Sequence, residues 1–225
     1  VYVPSDSTRD ALLADGLKNN FKPWPRGIET GRFNPDKRSA AWRAQHGIGH
    51  DELIVLHVSR LVREKRLDML TAALNKIAVP HRVVIVGDGP DRGFVKTQLP
   101  HAIFTGFLGG DDLTAAYASS DIFFFPSDSE SFGNVTLEAM ASGLPCVCAD
   151  ATGSRSLVVD VQTGFLAPPD DAAAFARHIT TLIQDAGLRH RMGQAARARA
   201  LTFSWDETLA RMLGYYRALL AGTAS

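Results

Sequence analysis

Cysteine is nearly absent from these 225 residues. The 2 present, Cys146 and Cys148, alternate along the apolar run Pro145 to Ala149. Alternate residues of a strand share a face and are poorly placed to bridge each other, so both read as reduced core side chains, with a metal or redox role as the weaker alternative. Charge of one sign is not in excess either. Lys plus Arg and Asp plus Glu stand at 24 each, which gives no global field favouring nucleic acid or an anionic membrane, although a local basic cluster stays open. No apolar run approaches the length of a membrane span. The 7 histidines are scattered; they suggest no triad, and no His, Cys or carboxylate set has metal-ligand spacing. Trp24, Trp42 and Trp205 lack interleaved basic residues and read as packing anchors. The start, Val1-Tyr2-Val3-Pro4-Ser5, has neither Met nor a basic leader, and reads as cut from a longer chain.

What is present is a rhythm. Apolar runs at Ile54 to Val58, Arg82 to Val86 and Ala102 to Thr105 alternate with helical patterns at Leu67 to Ile77, Arg92 to Leu99 and Asp112 to Ala118. Further runs follow at Ile122 to Phe125, Cys146 to Ala149 and Gly164 to Ala167. This alternation predicts an α/β fold, a doubly wound, Rossmann-like parallel sheet of about six strands, with its ligand crevice at the strand carboxyl ends. From Asp170 to Ala221 the pattern is helical without strands, including the basic segment Leu188 to Arg199. The expected domain spans residues 50–200. Residues 1–49, with Pro4, Pro23, Pro25 and Pro35, read as a connecting segment, and residues 201–225 as a terminal helix.

The chemistry-bearing residues follow the strands. Glu130 and Glu138 lie eight residues apart around Gly133, with Glu130 in a strand-end loop and Glu138 in the second turn of the next helix. Gly133 lets the backbone approach a ligand, and the helix's first amides offer unpaired donors that suit a diphosphate. Glu138 leans back toward the helix start, where its oxygens can accept from a ribose diol; Glu130 then lies nearer sugar hydroxyls. Arg60 and Lys65, at another strand end, can neutralise a diphosphate and stabilise it as a leaving group. Taken alone they also fit a solvated loop paired to Glu64 and Asp68. Gly87-Asp88-Gly89-Pro90 reads first as a tight strand-to-helix turn, and His57 as a satisfied core histidine. Gly106-Phe107-Leu108 fits either a wall for a base or simple core packing.

An ordered set of motifs resembles the carboxyl-terminal domain of GT-B-fold retaining glycosyltransferases, family 4. The set comprises Pro23-Trp24-Pro25-Arg26-Gly27-Ile28-Glu29 with Phe33-Asn34-Pro35, then Ser59-Arg60 to Lys65, Val86 to Pro90 and Gly106-Phe107. It continues with Tyr117 to Asp121 and Pro126-Ser127 to Pro145. The resemblance implies that Arg60 and Lys65 clamp the donor pyrophosphate and Glu130 contacts the donor sugar. By the same resemblance the backbone of Phe132, Gly133 and Asn134 serves sugar and phosphate, and Glu138 binds the ribose. The base would rest against Gly106, Phe107 and Leu108, with Thr136 or Leu137 on the ribose side.

The expected donor is a UDP- or GDP-linked hexose transferred with retention, without a cofactor or bound metal, the donor phosphate assisting proton transfer. The acceptor, a glycan, lipid or small molecule, is unidentified and would be met by an amino-terminal domain of the same polypeptide. Residues 1–49 would be the exit from that domain, and the terminal helix would pack toward it, so this chain alone would bind donor without efficient turnover. The implied location is cytoplasmic, at the membrane face in members with lipid acceptors. One departure is Thr152-Gly153-Ser154-Arg155-Ser156, where the family often has two glycines and a later acid. The rival readings are a GT-B-fold epimerase and a non-catalytic sugar-nucleotide-binding module.

Overall fold

Two short parallel strands, β1 (Tyr2–Val3) and β2 (Lys22–Pro23), flank helix α1 (Asp6–Ala14) in the computed structural model, which describes residues 1–222. Helix α2 (Ala40–Gln45) follows. Then come β3 (Ile54–Val58), α3 (Leu67–Leu74), β4 (Arg82–Val86), α4 (Arg92–Gln98), β5 (Ile103–Gly106) and α5 (Gly110–Ala118). The second half continues with β6 (Ile122–Phe125), α6 (Asn134–Ala141), β7 (Cys146–Ala149), α7 (Thr152–Leu157) and β8 (Gly164–Ala167). Three helices close the chain: α8 (Ala172–Gln184), α9 (Ala186–Leu201) and α10 (Trp205–Leu220). Residues 223–225, assigned from sequence to the terminal helix, lie outside the described residues.

The six apolar runs form one parallel sheet in the order β5-β4-β3-β6-β7-β8. Its register aligns Val55 with Ile122 and Phe123 with Cys146. The central strands β3, β6 and β7 are buried on every residue, and apolar at all but His57, because both faces are covered. Phe123, Phe125, Cys146 and Cys148 face α5 and α6, where Tyr117 and Met140 pack. Ile122, Phe124 and Val147 face α3 and α8, and Phe124 meets Phe175 with ring centroids 5.3 Å apart. Each fully buried Phe contributes about 1.5–3 kcal/mol over exposure. Both cysteines are free and buried. No helix among the described residues is long and apolar enough to cross a membrane.

The basic segment 188–199 is structural rather than an exposed cationic patch. Arg189 donates to the Leu182 carbonyl near the end of α8 at 2.6 Å. Arg197 donates to the Ala141 carbonyl, the last of α6, at 2.6 Å, and Arg199 to Ser156 near the end of α7 at 2.8 Å. These carbonyls lack intrahelical partners and carry the negative end of each helix dipole, which a guanidinium satisfies. Arg43 does the same for α5 through Ser119 at 2.8 Å. Of the tryptophans, Trp42 is buried in the core. Trp24 and Trp205 remain 37% and 40% exposed, because β2 and α10 sit at the periphery rather than on the sheet.

His57 is a satisfied core histidine. Its Nδ1 lies 3.0 Å from the Phe124 carbonyl and its Nε2 2.8 Å from Ser59 Oγ. Burial pushes its pKa from 6.5 down to about 4, only partly opposed by the Phe124 carbonyl. Between those values the unfolded chain binds a proton that the native state refuses. Stability therefore falls with pH from about 6.5 to about 4, by roughly 3 kcal/mol. Urea titrations at pH 7.5 and 4.5 should show this loss, and His57→Asn should flatten the slope; an equal slope in both proteins would disprove the assignment.

Candidate functional site

The order of strands reverses between β3 and β6. From β3 the chain leaves toward one face and from β6 toward the other, which opens a crevice at their carboxyl ends. Two loops meet there. After β3, Arg60 projects with 74% of its side chain exposed and pairs with Glu64 at 2.9 Å. A surface pair of this kind is worth about 0–1 kcal/mol, so Arg60 is readily given up to a stronger anion. Lys65 ends a 3-10 turn (Arg63–Lys65) and forms an ion pair with the Glu130 carboxylate, with side-chain exposures of 17% and 22%. The structure thus brings together across 65 residues two groups named separately from the sequence. The ion-pair alternative for the loop holds in part: Arg60 does reach Glu64, whereas Asp68 pairs with Arg66 at 3.4 Å.

Arg66 itself was missed. It sits in the left-handed region at φ 51°, ψ 49°, between the Lys65 turn and α3, a conformation costing a non-glycine residue about 1–2 kcal/mol. Its guanidinium spans two other strand-end loops, reaching Asp128 at 2.6 Å and Asp170 at 2.7 Å. Asp128 lies two residues before Glu130, so Arg66 fixes the loops that carry Lys65 and Glu130 relative to each other. Partners 62 and 104 residues away leave no mark in local sequence.

The Glu130 loop is held from below. Phe132 is buried 6.2 Å from Phe203, edge to face, so its side chain anchors the loop while its backbone faces the crevice. Gly133 turns the chain at φ 93° into α6, a conformation that glycine adopts without steric cost. Gly153, at the start of α7, packs beneath: a Cβ there would stand 2.6 Å from the Glu130 carbonyl oxygen. The Thr152-Gly153-Ser154 departure therefore keeps one glycine where the Glu130 loop needs it.

Arg60, Lys65, Glu130 and Gly133 line an open cleft of about 280 Å³. A second, of about 230 Å³, holds Glu138, Leu137, Arg32 and Phe33. Tyr117, fully buried, donates its hydroxyl to Glu138 Oε2 at 2.9 Å and sets the carboxylate's orientation. Burial raises the Glu138 pKa, against the opposing pull of the Tyr117 hydrogen bond and the Arg32 charge. Tyr117 was legible only as part of the Tyr117 to Asp121 run. Thr136 turns into the core, 4.0 Å from Cys148 Sγ, and lines neither cleft. Gly106 ends β5, and Phe107 and Leu108 follow it at the sheet's edge, outside both clefts; Phe107 is 84% exposed, and Leu108 packs on the core. Among the described residues no three His, Cys, Asp or Glu side chains cluster to hold a metal.

Fold and cleft define an α/β domain of the Rossmann type. The chain belongs to the glycosyl transferases group 1, whose family model matches residues 38–199, as the carboxyl-terminal domain of a GT-B glycosyltransferase. It is 39% identical over 212 residues to the sulfoquinovosyl transferase SQD2 of Arabidopsis thaliana, covering 90% of this chain and 41% of that protein. Identity to a GDP-mannose-dependent alpha-mannosyltransferase of Mycobacterium tuberculosis is 37% over 218 residues, covering 96% and 56%. The chain thus spans about half the length of these relatives. Among solved structures, sucrose-phosphate synthase from Thermosynechococcus elongatus aligns with a TM-score of 0.85 at 29% identity, over 99% of this chain and 58% of that one. Anabaena HepE in complex with UDP aligns at 0.86 and 25% identity, over 97% and 63%.

Proposed function

We propose that this domain binds the donor of a retaining sugar transfer, a nucleoside-diphosphate hexose carrying UDP or GDP. One observation carries the reading: at the switch point, the Lys65–Glu130 pair, Arg60 and the amino end of α6 share a cleft that adjoins the one holding Glu138. Glu138 accepts from the ribose hydroxyls. Arg60 and Lys65 take the diphosphate, with backbone amides at Gly133 and Asn134 beside them, and Glu130, relieved of part of its ion pair, accepts from the sugar. Gly106, Phe107 and Leu108 form the edge against which the base rests, with Leu137 on the ribose side; Thr136 supports that helix from within.

The domain's share of catalysis is positioning and stabilisation of charge on the departing diphosphate, whose oxygen also takes the acceptor's proton. This reading assigns no resident cofactor or metal. A relative named for GDP-mannose and a structure holding UDP support both bases. Acceptor recognition falls to parts of the relatives that this chain does not span, and lipid acceptors would place the reaction at a cytoplasmic membrane face.

Titration calorimetry with UDP, GDP, UDP-glucose and GDP-mannose tests the reading. Saturable binding of at least one pair is expected, together with little sugar transfer by this chain alone. Absence of binding to all four would remove the donor-site assignment, and robust transfer would remove the division of labour.

A further inference from the structure

The two clefts share two lining residues, Arg26 and Asn134, and so form one groove. Arg26 comes from the connecting segment, which also lends Arg32 and Phe33 to the second cleft. Every other cation in these clefts is engaged: Arg60 with Glu64, Lys65 with Glu130, and Arg32 with Glu29 at 3.5 Å. Arg26 is exposed and has no hydrogen bond or ion pair among the described residues. Its backbone is nonetheless fixed. Trp24 donates to the Val3 carbonyl at 2.7 Å and Ile28 to the Phe203 carbonyl at 2.8 Å. Between them Trp205 packs so closely on Gly27 that a Cβ would meet its ring at 2.5 Å. An unpaired guanidinium on an anchored backbone, at the junction of two halves of one groove, is free to take an anion.

We propose that Arg26 binds the phosphate next to the ribose. The inference rests on the donor-site reading. With the ribose at Glu138, the first phosphate of a nucleotide falls at the junction, and the second falls beside Arg60 and Lys65. Arg26 and the Arg60–Lys65 pair therefore read different phosphates, and the connecting segment completes the site that the sheet begins.

The test compares affinities for UMP, UDP, GMP and GDP, by calorimetry, in the wild type, Arg26→Ala, Arg26→Lys and Lys65→Ala. Arg26→Ala should weaken the monophosphate and the diphosphate by the same factor, roughly five- to tenfold for a lost charge-assisted contact. Arg26→Lys should recover part of it. Lys65→Ala should weaken the diphosphate and leave the monophosphate unchanged. Because Arg26 is exposed and unpaired, its variants should melt with the wild type, so a binding loss reports contact rather than unfolding. Unchanged affinities in Arg26→Ala, or a loss confined to the diphosphate, would overturn the assignment while leaving the donor site intact. A wild type that binds none of the four would instead remove the donor site and Arg26's role with it.

Discussion

Glu138→Gln is expected to make the domain more stable and a poorer nucleotide binder. The Glu138 carboxyl is mostly buried and its pKa is raised above 4.5, chiefly by that burial. An acid with a raised folded-state pKa costs stability as pH rises past its unfolded value, because ionising it in the native state is disfavoured. A neutral amide removes this cost while its carbonyl can still accept from the Tyr117 hydroxyl. Melting temperature should therefore rise at pH 7, by about 2–4 °C per kcal/mol recovered, and stay unchanged near pH 4. Binding moves the other way. A carboxylate accepts from both ribose hydroxyls, whereas the amide offers one acceptor and a mismatched donor, so affinity for UDP or GDP should fall roughly tenfold or more. Glu130→Gln should mainly reduce the preference for the sugar-bearing donor over free nucleotide. A destabilised Glu138→Gln protein that binds nucleotide normally would overturn both halves of the account.

The second large effect is expected at Gly153. An alanine Cβ there would lie 2.6 Å from the Glu130 carbonyl oxygen and 2.8 Å from Glu130 Cβ. Neither contact can be relieved by rotating a flexible tip, so either α7 or the Glu130 loop must move. Overpacking of this kind costs about 1–3 kcal/mol. The more informative consequence is at the cleft: a displaced Glu130 loses Lys65, and the donor preference should collapse toward that of free nucleotide. Denaturant titration and calorimetry on Gly153→Ala check the two parts. Wild-type stability with unchanged donor preference would show that the loop has slack the packing does not reveal.

How much of this could be read from the chain depended on where each signal resides. The strands were legible because burial on both faces leaves continuous apolar runs, as at Ile122 to Phe125. Helix ends were less so. Within the segment read only as connecting, a 3-10 turn (Pro35–Lys37) precedes α2, which Ser39 caps by accepting from the Trp42 amide at 3.0 Å. Likewise α3 stops at Leu74, although Ile77 still packs into the core. Glu130, Glu138, Arg60 and Lys65 could be named from spacing and the motifs around them. Their partners could not: Tyr117 reaches Glu138 across an intervening strand, and Arg66 gathers carboxylates from loops distant in sequence. In the basic segment 188–199 the charge was legible but its destination was not: the guanidiniums of Arg189, Arg197 and Arg199 go to helix ends.

That arrangement separates two histories within one fold. The strand-end loops sit at one rim of the sheet, and the arginine-capped ends of α5, α6 and α8 lie at the other. Substitutions that alter which sugar or base is held can accumulate at the first rim without loosening the second. Variation among relatives that act on different sugars should therefore be tolerated where the chemistry lies and resisted where α9 fastens its neighbours.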